Sequence, residues 1–269
     1  MENKREYDSP NGSGARPART IERSHKQEEK PAANGAPVIE SAISSNGRGV
    51  ERITDGPNYV EGPTEELSRK TGGAEVEEFI DVILDELSAL RNRAELDAID
   101  HAVALILAGE AHGGRVHVTG VGKSEYVARY AASLFSSTGT PSYFLHATEC
   151  VHGSAGQLGK SDVAIAISNS GCTPELMSAV EVLRELDIKI IGVSGKQDSA
   201  LVAMSNVFLY AGVDNEGGIL NLAPRASILA ETLVLCSLSV ALESRKGLTR
   251  EQYARWHPGG ALGKLARGD

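Results

Sequence analysis

Hydrophobic positions change their period along this chain. Residues 1–73 are dominated by Ser, Pro, Gly, Asn, Arg and Glu without sustained periodicity, which predicts a disordered tail. From Val76 onward, Val76, Phe79, Ile80, Ile83, Leu84, Leu87 and Leu90 recur at helical spacing. Leu96, Ile99, Val103, Ile106 and Leu107 repeat the pattern up to Gly109. Short apolar runs and helical patterns then alternate. Strands are predicted at 115–119, 141–145, 161–168, 188–194 and 207–210. Helices are predicted at 124–135, 175–186, 199–204 and 227–243. Alternation of this kind predicts a three-layer αβα sandwich around a parallel sheet of about five strands, occupying 74–269. Ligands of such sheets bind beyond the carboxyl ends of the strands.

Two polar turns fall at those ends. The first, Gly120-Val-Gly-Lys-Ser124, follows a strand and opens a helix. A nucleotide P-loop would need glycine where His117 stands, so that reading fails. A dinucleotide fingerprint would need a small residue at Glu125. What is left is a small-anion loop, with Gly122 admitting the ligand, Ser124 binding it and Lys123 alongside. The second turn runs through Ser168, Asn169, Ser170, Gly171, Cys172 and Thr173 into Pro174 and Glu175. Thr173 is expected to cap the next helix, with Pro174 in its first turn and Glu175 adding favourable charge. Unpaired N–H groups there suit a phosphate, with Ser168, Ser170 and Thr173 as neutral donors. Either turn alone is better explained by turn and cap chemistry. Two of them on strand ends favour a phosphate or phosphosugar cleft.

Composition narrows the class. The net charge of −9 over 269 residues argues against a general nucleic-acid binder. The 4% aromatic content and 29 glycines suit an α/β sheet with many tight turns. The odd thiol number, Cys150, Cys172 and Cys236, reads as reduced cysteines in a cytoplasmic chain, without disulfide framework or zinc cluster. No apolar run is expected to span a membrane, and no secretory core is seen.

The two turns, Ser136-Ser-Thr-Gly-Thr-Pro141 and His257-Pro-Gly-Gly-Ala-Leu-Gly263 together resemble the sugar isomerase (SIS) domain. The resemblance runs from about Val76 to the C-terminus, and the His-Pro-Gly-Gly-Ala-Leu-Gly segment is selective for the arabinose-5-phosphate isomerase branch. It implies interconversion of ribulose 5-phosphate and arabinose 5-phosphate through an enediol, without a cofactor. The branch's catalytic positions match Lys123, Glu175, Glu216 and His257, all four residue types being kept. Glu216 or Glu175 would be the base, His257 would open the ring or move a proton between oxygens, and Lys123 would hold the phosphate or the enediolate. By themselves, Glu175 reads as helix N-terminal charge, Glu216 as a loop residue and His257 as a terminal turn residue. His146, Glu149 and His152 cluster before Gly153. The family sometimes binds inhibitory zinc at the position of His152; here that histidine is expected to touch substrate or backbone, with no metal required. Cys172 fills its turn and is not a nucleophile.

The chain departs from the pattern at Ala223-Pro-Arg-Ala226, where the family usually has Ala-Pro-Thr-Ser, and at Ser154 and Cys172, where acidic residues are common. These changes bear on which sugar phosphate is used. The regulatory CBS modules that often follow the domain are expected to be absent. The resemblance further implies a homodimer or homotetramer, with the helices over 76–107 and 227–243 as contact surfaces. A non-catalytic phosphosugar-sensing SIS module, or an isomerase of another sugar phosphate, are the alternatives.

Overall fold

The computed structural model describes residues 73–93 and 95–268. The expected disordered tail lies outside the described residues except for Gly73, which opens the first helix. The elements in chain order are α1 (Gly73–Arg93), α2 (Leu96–Glu110), β1 (Val116–Gly120), α3 (Lys123–Ser137), β2 (Ser142–Phe144) and the short α4 (Ala147–Cys150). A 3-10 turn (Ser154–Gln157) leads to β3 (Val163–Ile167), α5 (Pro174–Glu185), β4 (Lys189–Ser194), α6 (Ala200–Met204) and β5 (Val207–Tyr210). Helices α7 (Ala226–Lys246), α8 (Arg250–Trp256) and α9 (Ala261–Arg267) follow. The five strands are all parallel in the order β2-β1-β3-β4-β5.

Side-chain alternation distributes the sheet between two cores. Val163, Ile165 and Ile167 of β3 join Val116, Val118, Ile191 and Val193 on the face covered by α2, α3 and α7. Ala164 and Ala166, with Ile190, face α4, α5 and α6. Both faces are buried, which is why β3 reads as a continuous apolar run. The central position of β3 puts its C-terminal turn between those of β1 and β4.

Three sequence expectations need correction. Thr173 occupies the N-cap position of α5 but its side chain makes no capping hydrogen bond; the hydroxyl is spent on Ser168 Oγ at 3.0 Å. Helix α7 does have the length and hydropathy of a spanning segment, with 21 residues and mean hydropathy 1.6. It is nevertheless part of the core: Ala230, Leu235, Leu238 and Leu242 are buried in the first cluster. Lastly, α4, α8 and α9 add to the expected elements, because helices of one or two turns are too short to show a period in the sequence.

A buried polar contact locks the opposite, N-terminal edge of the sheet. His117 Nε2 lies 3.0 Å from Asp162 Oδ2, and Asp162 also accepts the N–H groups of Arg115 and Gly159. Burial holds the His117 imidazole below its ordinary pKa, against the upward pull of Asp162. The ring is therefore neutral, and Nε2–H donates to the carboxylate.

Candidate active site

A cavity of about 290 Å³ opens beyond the carboxyl ends of β1 and β3. Its walls include Lys123 and Ser124 from α3, Ser168, Asn169, Ser170 and Thr173 from the β3–α5 turn, and Ser227 and Glu231 from α7. The two polar turns, far apart in sequence, thus meet at one place. A larger groove of about 740 Å³ between α1, α2, β5 and α7 is lined by Leu87, Leu90, Leu96, Ile99 and Leu233 and carries none of the turn chemistry.

The N-termini of α3, α5 and α7 all point into the smaller cavity. Gly122, at the N-cap of α3, and Thr173, at that of α5, provide no side-chain cap. No capping side chain therefore competes with an anion for the first-turn N–H groups. The third helix start is occupied from within: Glu216 Oε2 accepts from Arg225 N at 2.7 Å and Ser227 N at 3.1 Å. This places the half-buried Glu216 carboxylate one hydrogen bond behind the cavity wall.

The β3–α5 turn is built rigidly. Ser168 Oγ sits within hydrogen-bonding distance of both Thr173 Oγ1 and Ser170 Oγ and accepts Gly171 N at 3.1 Å. Gly171 adopts φ +64°, and a Cβ there would collide with Ser199 Oγ. From the neighbouring turn, Gly195 N and Ser194 Oγ donate to Asn169 O. The Ser-rich sequence is thus a network that leaves Ser170 exposed toward solvent.

Other expected residues lie elsewhere. Glu175, on the first turn of α5, and His152, in the turn after α4, are exposed and do not line the cavity. Arg225 turns away from it, with Nη1 donating to Gly217 O at 3.1 Å. Among the described residues, no group of three or more His, Cys, Asp and Glu is arranged to hold a metal.

His257 stands at the other end of the molecule. Helix α3 runs about 20 Å away from the cavity. Just past its far end, the ring of Trp256 packs so closely on Gly139 that a Cβ there would have no room. Lys246, at the end of α7, bonds Gly139 O and Thr140 Oγ1 at the same edge. His257 stacks on Tyr253 at 3.9 Å between ring centroids, and its Nδ1–H donates to Tyr253 O at 2.9 Å. That bond occupies Nδ1 and leaves Nε2 as the ring nitrogen open to a ligand.

Sequence reasoning missed Ser227 and Glu231, both fully buried in the cavity wall. Ser124 Oγ donates to Glu231 Oε1 at 3.0 Å. Burial pushes the Glu231 carboxyl up to about 7; the Ser124 bond works against this and the nearby Glu216 charge adds to it. The available signal was one acidic residue on the inward face of an apolar helix, one turn after a serine.

The SIS domain sequence model matches residues 111–241. Arabinose 5-phosphate isomerase KdsD of Francisella tularensis is 39% identical over 181 residues, 67% of this chain and 55% of that protein. The KdsD of Escherichia coli K12 is 42% identical over 151 residues, 56% of this chain and 46% of that one. The chain therefore spans about half the length of the curated relatives it matches. Among solved structures, c3406 of E. coli CFT073 in complex with arabinose 5-phosphate superposes with a TM-score of 0.63 at 31% identity, covering 70% of this chain and 100% of that one. Full coverage of a relative at that identity, on the same parallel sheet, makes this chain a member of the SIS domain family.

Proposed function

We propose that the chain is an aldose–ketose isomerase that interconverts arabinose 5-phosphate and ribulose 5-phosphate. The observation that carries this is the convergence of two uncapped helix N-termini, Lys123 and the Ser168–Thr173 hydroxyls on one cavity, with the Glu216 carboxylate directly behind the wall residue Ser227. The first set suits a phosphate; the last supplies a base. Support also comes from relatives named for this reaction and a neighbour that binds arabinose 5-phosphate.

In this reading the α5 N-terminus with Ser168, Asn169, Ser170 and Thr173 holds the phosphate, and Gly122 and Ser124 close the other side. Glu216 removes the C2 proton of the open-chain aldose. The C2–H electrons form the C1–C2 double bond as the carbonyl oxygen takes up charge, which Lys123 stabilises. A proton passes from O2 to O1, and the carboxyl of Glu216 returns its proton to C1. Glu175, outside the cavity, is the weaker candidate for base, and His152 lies outside as well.

His257 is too far from its own cavity to join this chemistry, so it serves the cavity of a second copy, where Nε2 assists ring opening or the O2-to-O1 transfer. An exposed apolar face fits such an assembly. Leu229, Leu233 and Val240 recur along α7 beside Tyr126 and Tyr130 of α3. The free thiols Cys150, Cys172 and Cys236 fit a reducing, cytoplasmic setting. Incubation with arabinose 5-phosphate and a panel of other pentose and hexose phosphates tests the proposal. Appearance of ribulose 5-phosphate supports it. Tight binding without conversion of any of them would make the protein a sensor instead.

A further inference from the structure

The chemistry above gives no role to Glu231, yet this is the carboxyl most completely enclosed by the cavity. It sits one helical turn after Ser227 on α7, both line the cavity, and both are 0% exposed. Among the described residues, Glu231 Oε2 and Ser227 Oγ have no hydrogen-bond partner. Buried polar atoms without partners are costly, and those that persist in a site are ones a ligand or water completes.

Polar groups from four segments of the chain surround Glu231. Ser124 comes from α3 and Lys123 precedes it. The Glu216 carboxylate comes from the loop before α7, Ser227 from α7 itself, and Ser168, Ser170 and Thr173 from the β3–α5 turn. Lys123 is exposed and makes no ion pair with Glu231 among the described residues. Glu231 is thus a buried acid with a like charge as neighbour and one hydroxyl as hydrogen-bond partner.

That partner has a single proton. While Glu231 is ionised, Ser124 must give its proton to Oε1, and only lone pairs face an incoming anion. Once Glu231 is protonated, the carboxyl can donate to Ser124 Oγ, and the serine O–H is released toward the cavity. A phosphate entering between the helix N-termini adds negative charge beside Glu231 and favours that second arrangement.

We propose that Glu231 is the proton-uptake group of this site: it takes a proton when a phosphorylated ligand enters, and so turns the Ser124 hydroxyl from a donor to Glu231 into a donor to the ligand. The inference rests on the reading that the cavity accepts a sugar phosphate. Glu231 is a positioning residue here, acting through Ser124. Glutamine keeps an N–H donor toward Ser124 and has no charge to lose, so Glu231→Gln imitates the protonated state permanently.

Calorimetric titration of the full chain with arabinose 5-phosphate at pH 8, in buffers of different ionisation enthalpy, tests this. The ligand's own phosphate is fully ionised there, its second pKa being about 6. The wild-type protein is expected to take up most of one proton per ligand bound. Its affinity should weaken toward about tenfold per pH unit above pH 7. Glu231→Gln is expected to take up none and to bind with a flat pH profile, and Glu231→Ala, which also leaves the Ser124 proton unclaimed, should likewise take up none. Wild-type binding without proton uptake, or an unchanged pH slope in Glu231→Gln, overturns the proposal alone. No binding of any sugar phosphate by the wild-type protein overturns the functional reading and this inference together.

Discussion

Glu216 holds the backbone of Ser227: its Oε2 accepts the serine N–H at 3.1 Å and so anchors the start of α7 beside the cavity. The same carboxylate is therefore both helix cap and candidate base, and two substitutions separate the roles. Glu216→Gln keeps an acceptor oxygen for Arg225 N and Ser227 N but cannot take a proton. Its turnover should fall about a hundred- to ten-thousand-fold with little change in stability. Glu216→Ala should lose the same activity and, in addition, about 1 kcal/mol in denaturant unfolding.

Assembly makes a prediction of its own. Lys123→Met and His257→Asn should each be nearly inactive, one at the cavity and the other at the distant edge packed around Gly139. If His257 serves a neighbouring copy, mixing the two variants and allowing subunits to exchange should restore activity. Random reassortment into dimers gives one intact site in half of them, so recovery to about a quarter of wild type is expected. Mixtures that stay inactive after demonstrated exchange would place His257 outside the chemistry.

Much of the fold was legible because the period of the apolar positions changes with each element. The continuous run at Val163–Ile167 announces a strand buried on both faces, and the long stripes at Gly73–Arg93 and Ala226–Lys246 announce helices. The two polar turns were legible for a related reason: small hydroxyl and glycine residues interrupt those runs at strand ends. Glu231 was not. One acid on a helix whose other buried positions are mostly apolar gives no periodic signal, and its partner Ser124 is 107 positions away. Thr173 misled for the opposite reason. Its position is that of a cap, but Ser168 Oγ competes successfully for its hydroxyl. The distance between His257 and the cavity follows from helix lengths and packing, which local sequence does not encode.

The β3–α5 turn should tolerate no side chain at Gly171. Its φ of +64° disfavours an L-residue, and Ser199 Oγ occupies the space a Cβ would need. Gly171→Ala should cost about 1–3 kcal/mol by the combined strain and overpacking. Because the displaced turn carries Ser168 and Ser170, sugar phosphate binding should weaken even at temperatures where the variant is folded. Thermal unfolding with and without arabinose 5-phosphate measures both effects.

Two buried groups tilt stability against pH in opposite directions. The Glu231 carboxyl is raised in the folded state to about 7, so its contribution is complete below about pH 4.5 and is lost as pH rises through 7; the difference is up to roughly 3 kcal/mol. Burial lowers the His117 imidazole instead. Its contribution is present above the ordinary histidine value of about 6.5 and is lost as pH falls below it. Denaturant unfolding of the ligand-free protein across pH 4–8 should show Glu231→Gln removing the fall between about pH 4.5 and 7, and His117→Gln removing the loss below about pH 6.5.

The most direct measurement follows the carbon-bound proton itself. Arabinose 5-phosphate incubated with the protein in heavy water and observed by proton NMR should lose its C2 proton signal to deuterium while ribulose 5-phosphate accumulates. Both changes should disappear in Glu216→Gln. An unaltered C2 signal under conditions where calorimetry shows the sugar phosphate bound would contradict isomerisation at this cavity.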